Sequence, residues 1–187
     1  RWDEATGPVS GTGGRRLLVN VSAGKASRRW PAESFVEVLR DVRARWPALR
    51  ILVIGAPDEF ERASTIARRA HAGVAETRGL RDALALVATS DVVLTPDTSI
   101  SHAATAFHKP VVDLLLNGRA QGWGPYGTPA HALESADETL ASLPAAPVLA
   151  ALVDLLGSLE PVTEPEVASP ALDPTIPPDG ARPERGR

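Results

Sequence analysis

Short apolar runs alternate along this chain with stretches whose apolar residues recur at helical spacing, and few folds are compatible with that order. Leu17-Leu18-Val19-Asn20-Val21 reads as a strand, and Ile51-Leu52-Val53-Ile54-Gly55 as a strand buried on both faces. Between them Pro31 fits the first position of a helix, Glu33 favours its N-terminus, and Phe35, Leu39, Val42 and Trp46 repeat with helical period. A second helical stripe holds Phe60, Ala63, Ile66, Ala67 and Ala70, and a short strand near Val74–Glu76 precedes a third with Leu80, Ala83, Leu84 and Val87. Asp91-Val92-Val93-Leu94-Thr95 is the next strand, followed by a short helix from about Ser99 to Phe107. Val111-Val112-Asp113-Leu114-Leu115 follows Pro110 as another strand, and a last helix covers about Pro147–Leu159. Strands separated by helices pair in parallel, because the helix supplies the crossover that returns the chain to the same end of the sheet.

The expected fold class is therefore α/β, a Rossmann-like parallel sheet with helices on both faces. The 187 residues suit one such domain and are too few for two ordinary ones. Residues 1–15, with Gly7, Pro8, Gly11, Gly13 and Gly14, read as a linker. Residues 160–187 are rich in Pro and acidic residues without periodicity and read as a disordered tail, which leaves 16–159 as the folded domain. The chain opens on Arg1 and contains no Met, so a start upstream is expected.

A net charge of −3 provides no broad basic field for nucleic acid, yet it does not oppose a local anion site. The absence of cysteine excludes disulfides and thiolate metal sites. His71, His102, His108 and His131 have no metal-ligand spacing, and neither a metal nor a cofactor is expected. No apolar run approaches 18 residues and the first residues do not read as a signal peptide, so the expected location is the cytoplasm.

In parallel α/β sheets, ligands bind beyond the carboxyl ends of the strands. Four loops occupy that edge: Ser22–Trp30, Ala56–Glu59, Glu76–Gly79 and Pro96–Ser101. In the last, Asp97, Thr98, Ser99 and Ser101 sit where a strand turns into a helix, and His102 lies in the first turn. Unpaired N–H groups, hydroxyls and the positive end of the helix dipole suit a diphosphate there. Asp97 is a poor phosphate contact and fits better as an acceptor for N–H groups of the turn. The same residues read equally well as a helix cap with no ligand. In the first loop, Gly24 permits close backbone approach, and Lys25, Arg28 and Arg29 offer cations that would otherwise be solvated. Gly24-Lys25 does not complete a phosphate-binding P-loop, because Val19 and Ala26 stand where Gly and Ser or Thr are needed. Glu59 either accepts ligand hydroxyls or serves only as a favourable first-turn charge. Trp123, in Gly122-Trp123-Gly124-Pro125-Tyr126-Gly127, either lines a pocket or pins its own loop.

Three segments resemble the carboxy-terminal domain of glycosyltransferase family 9, the heptosyltransferases of lipopolysaccharide core assembly. They are Ser27-Arg28-Arg29-Trp30-Pro31-Ala32-Glu33-Ser34-Phe35, Ile54-Gly55-Ala56-Pro57-Asp58-Glu59, and Thr95 to Ala104 continued by Lys109-Pro110-Val111-Val112. The likeness covers about Leu17–Pro125, and Ser99 stands where the family usually has Gly. It implies one half of a two-domain GT-B transferase that binds an ADP-sugar, typically ADP-heptose, and transfers the sugar with inversion and without metal. By this resemblance Ser22, Gly24 and Arg28 belong to the phosphate side of the site, Glu59 to ribose or sugar hydroxyls, and Arg78 to the adenine; Lys25 is a candidate contact by its charge alone. Thr98, Ser99 and Ser101 bind the diphosphate, and Asp97 and His102 in the same segment are further candidate substrate contacts. No catalytic residue is expected here, because the family's general base and its lipid-linked or polysaccharide acceptor belong to the amino-terminal domain. An association of the whole enzyme with the inner face of the bacterial inner membrane is compatible with that role. Two other readings are a stand-alone nucleotide-binding module and a family relative with another donor and a protein or polysaccharide acceptor.

Overall fold

The computed structural model describes residues 14–159. The linker expected over 1–15 and the tail over 160–187 lie outside them, apart from Gly14 and Arg15. Six strands form one parallel sheet: β1 (Arg16–Asn20), β2 (Arg50–Ile54), β3 (Gly73–Val74), β4 (Val92–Pro96), β5 (Val111–Leu115) and β6 (Ala130–Glu134). The helices are α1 (Ala32–Arg45), α2 (Phe60–Arg69), α3 (Leu80–Ala88), α4 (Ser99–Ala106), α5 (Ala120–Trp123) and α6 (Ala145–Ser158). The strand order is β3-β2-β1-β4-β5-β6, so the chain works outward from β1 and then, after β3, restarts on its other side. The crevice between β1 and β4 is the topological switch point of a Rossmann-like sheet.

Strand alternation divides the core into two. Leu17 and Val19 of β1, Ile51 and Val53 of β2, Val92 and Leu94 of β4, and Val112 and Leu114 of β5 meet α1, α2 and α6. Leu18, Leu52, Ile54, Val93 and Val111 point the other way and meet α3 and α4. Both faces are covered, which is why these strands are continuous apolar runs rather than alternating ones. Each fully buried Leu or Val is worth ~1.5–3 kcal/mol, so the sheet interior dominates stability. Among the described residues no helix is long and apolar enough to cross a membrane.

Three expectations need correction. Pro31 is the N-cap of α1 rather than its first residue, with an extended ψ of 140°. The last helix begins at Ala145, two residues earlier than its apolar spacing indicated. The sheet has a sixth strand: β6 pairs in register with all of β5, from Val111↔Ala130 to Leu115↔Glu134. Ala-His-Ala-Leu-Glu has no β-branched residue and no fully buried one, so it extends because β5 offers a free edge, not because its own side chains favour a strand.

Trp30 fixes the loop after β1. Its ring is fully buried, meets Phe35 edge-on at 4.8 Å, and donates from Nε1 to the Leu143 carbonyl at 2.9 Å. Arg62 of α2 ties both ends of the same loop, donating to the Val21 carbonyl at 2.9 Å and the Trp30 carbonyl at 2.5 Å. On the opposite edge of the sheet, Arg15 donates to the Leu156 and Leu159 carbonyls at 3.1 and 2.7 Å, satisfying the unpaired end of α6.

Candidate functional site

The switch point opens into a cavity of about 350 Å³ lined by all four loops named above. Ser22, Ala23 and Gly24 form one wall, Gly55 to Glu59 a second, Thr77 and Gly79 a third, and Thr98 to Ile100 a fourth. Gly55 is there because the chain doubles back on itself: a Cβ would sit 3.2 Å from the Glu59 carbonyl oxygen. A Cβ on Gly24 would meet nothing, so no protein contact requires glycine at that position.

Thr98 is the N-cap of α4, and its Oγ1 accepts from the Ile100 amide at 3.2 Å. Ser99 follows it, exposed at the cavity mouth. The floor beneath them is Asn20 at the end of β1, 2% exposed, whose amide spans from Ser22 to Thr95 and Thr98. Asn20 is absent from the expected site, although a polar residue inside an apolar strand run is a signal that could have found it.

Glu59 closes a 3-10 turn (Pro57–Glu59) at the entrance to α2 and is buried. Its Oε1 lies 2.6 Å from Arg29 Nη2, but no aligned hydrogen bond reaches either carboxylate oxygen. Both carboxylate oxygens are buried under that pair, with acceptor capacity left unused at the cavity wall. Arg29 is therefore bound to Glu59, and of the loop's cations only Arg28 faces the α4 end of the site.

Beyond Thr98 and Ser99 lies a second, more open depression of about 510 Å³, lined by Arg28, Asp97, Thr98, Ser99, His102, Arg119 and Trp123. Asp97 is its centre. Its Oδ2 is 3.4 Å from Arg28 Nη1 and 3.1 Å from Arg119 Nε, so two guanidiniums neutralise this buried carboxylate. The expectation that Asp97 accepts N–H groups of the turn is corrected: Thr98 caps the helix, and Asp97 turns sideways to the cations because ion pairing offsets its burial. The Arg119 guanidinium sits 5.0 Å from the centre of the Trp123 ring, and the His102 ring lies 6.2 Å from it. Trp123 is half-exposed, so it lines a depression rather than pinning its loop.

Three expected residues stay apart from both cavities. Lys25 is exposed and caps a short 3-10 turn through its carbonyl, which accepts from the Arg28 amide at 3.0 Å. Arg78 is exposed and bound to Asp82, one helical turn on, at 2.9 Å. Ser101 is buried behind α4 and donates to Asp113 Oδ2 at 2.5 Å. Burial pushes the Asp113 carboxyl up to about 7; the Ser101 hydrogen bond opposes that shift and the Asp97 charge adds to it. Among the described residues no cluster of His, Asp and Glu is disposed to hold a metal ion.

The same fold recurs in solved sugar transferases. The structure of E. coli heptosyltransferase WaaC with ADP matches at 24% identity and a TM-score of 0.67, over 76% of this chain and 44% of that one. A glycosyl transferase family 9 protein from Veillonella parvula matches at 19% and 0.68, over 78% and 47%. The E. coli ADP-heptose lps heptosyltransferase II matches at 18% and 0.65, over 76% and 46%. This chain thus spans less than half the length of each. No curated protein sequence matches it. The model of glycosyltransferase family 9 (heptosyltransferase) matches residues 4–146, more than half of the chain. With its three family-like segments gathered on the edge of a Rossmann-like sheet, the chain belongs to glycosyltransferase family 9.

Proposed function

We propose that this domain is the donor-binding half of a heptosyltransferase-like enzyme, and that its switch-point cavity holds an ADP-sugar, ADP-heptose foremost. The observation that carries the reading is the complementarity of the cavity's two ends. At one end the Thr98–Ser99 start of α4 offers hydroxyls and unpaired N–H groups with Arg28 nearby, which suits a diphosphate. At the other the buried Glu59 carboxylate has no aligned donor, which suits a pair of ribose or sugar hydroxyls once the exposed Arg29 side chain over it moves aside. Between them Gly55, Ala56, Pro57 and Gly79 leave a flat, weakly polar slot for a base.

In this arrangement Ser22, Gly24, Arg28, Thr98 and Ser99 surround the phosphates, and the sugar extends past Ser99 toward Asp97 and His102. Lys25, Arg78 and Ser101 have no direct role, for the reasons of exposure, pairing and burial given above. Family membership supports transfer of a sugar, and the ADP in the WaaC structure supports adenine as the base. A lipopolysaccharide-type acceptor, and the base that deprotonates it, belong to a second domain that faces this edge.

Ligand-dependent stabilisation tests the reading. ADP at a hundredfold excess over its Kd stabilises a binding domain by ~2.7 kcal/mol, a readily measured rise in Tm, while UDP and GDP give less. No shift with millimolar ADP, or an equal shift with all three, rules out an ADP-sugar site. The isolated domain transfers no sugar; turnover by it would show that the acceptor machinery lies on this half.

A further inference from the structure

The structure assigns to Asn20 a role as a positioning residue that commits the Thr98 hydroxyl to donate its proton into the cavity. The inference rests on the diphosphate reading above and explains how the protein gives that hydroxyl the polarity an anion needs.

The orientation of the Asn20 amide is set by backbone partners whose chemistry is unambiguous. The Ser22 amide donates to Oδ1 at 3.2 Å, and Nδ2 donates to the Ser22 carbonyl at 3.3 Å. Oδ1 also accepts from Ser22 Oγ at 2.9 Å. Nδ2 therefore faces β4, where its two hydrogens are shared among the Ser22 carbonyl, Thr95 Oγ1 at 3.0 Å and Thr98 Oγ1 at 3.2 Å. A hydroxyl has two lone pairs and one proton. Thr98 Oγ1 receives a hydrogen of Asn20 Nδ2 shared with Thr95 on one side and the Ile100 amide on the other, so both lone pairs are engaged. Only the proton is left to bind anything else.

Among the described residues that proton has one poor acceptor. Thr95 Oγ1 is 3.3 Å away, long for a hydroxyl pair, and Thr95 spends its own proton on the Pro96 carbonyl at 2.8 Å. A phosphate oxygen in the cavity that Thr98 lines is a better acceptor, being charged and free to approach to ~2.7 Å. Asn20 is 2% exposed and sits below this contact. It acts on the ligand through Thr98.

A double-mutant cycle on ADP affinity tests this. N20A and T98A each weaken ADP about fivefold, the worth of one hydrogen bond. The double variant is no weaker than the poorer single one, because Asn20 has nothing left to act through. N20D keeps the size of the side chain but presents a carboxylate, which draws the Thr98 proton inward and turns its lone pairs toward the ligand; its ADP affinity falls more than tenfold at pH 8. Losses that multiply in the double variant overturn the proposal. So does an N20A or N20D protein whose unliganded Tm drops while ADP affinity holds, since that describes a purely structural asparagine. If N20A does not fold, N20D decides alone. Failure of the wild type to bind ADP would remove the diphosphate reading and this role together, whereas binding with an additive cycle removes only this role.

Discussion

The two cavities that meet at Thr98 and Ser99 are built on opposite principles. On the β2–β3 side the walls are small residues and backbone, with one carboxylate, Glu59, held against Arg29 and short of hydrogen bonds. On the β5 side there are few walls and much charge: Arg28 and Arg119 converge on Asp97, with Trp123 and His102 beside them. The first region recognises by shape and by unmet hydrogen-bonding capacity. The second is a charge cluster in which two guanidiniums share one carboxylate and leave a net positive charge. A ligand that spans both meets a preformed slot on one side and a rearrangeable ion cluster on the other.

The strongest way to break this comparison is to remove what keeps each region rigid. Trp30→Ala empties a fully buried indole site beneath the first loop and is expected to cost ~3–5 kcal/mol, read as a fall in the urea midpoint. A cost below 1 kcal/mol would mean the loop is held by Arg62 alone. Asp97→Ala leaves two guanidiniums facing each other with no buried counter-charge. The expected loss is ~2–3 kcal/mol, reduced because both arginines are about a quarter exposed. Adding R119A to D97A should recover part of it; no recovery would show that Asp97 acts alone.

Asp113 sharpens the contrast, since it lies behind the charged region. Its carboxyl is raised to about 7 in the folded chain, well above an unfolded aspartate. Between about pH 4 and pH 7 the folded protein therefore holds the extra proton, and stability falls as pH rises, by at most ~1.4 kcal/mol per pH unit. Asp113→Asn should flatten that slope in urea titrations run from pH 4.5 to 8. An unchanged slope would assign the pH dependence to other groups. The smallest effect is expected at Arg78, exposed and paired with Asp82: R78A should leave ADP affinity within about twofold. A tenfold loss would place the adenine outside the slot at Gly55–Pro57.

What the sequence disclosed follows from which forces are local. The buried strands β1, β2, β4 and β5 announce themselves because two covered faces demand continuous apolar runs. β6 does not, because its extension is imposed by the neighbouring edge. Within the site, strand-end loops were legible by rule, but side-chain direction was not. Ser99 and Ser101 are two residues apart on a helix, about 200° in angle, so one hydroxyl faces the ligand edge while the other is turned to Asp113. Arg78 has a partner four residues on, a pairing visible in the sequence once α3 is placed. Arg119 had no signal at all: its meeting with Asp97 depends on β5 lying beside β4, a contact between residues 22 positions apart.

Arg15 holds the carbonyls at the end of α6, and that small clasp has an architectural consequence. The chain enters the sheet and leaves it at one doorway, on the edge opposite both cavities. A unit with a single doorway can be spliced into a host polypeptide, or carried on a flexible stalk, without any segment crossing its ligand face. A segment joined at that doorway meets neither cavity on its way in or out.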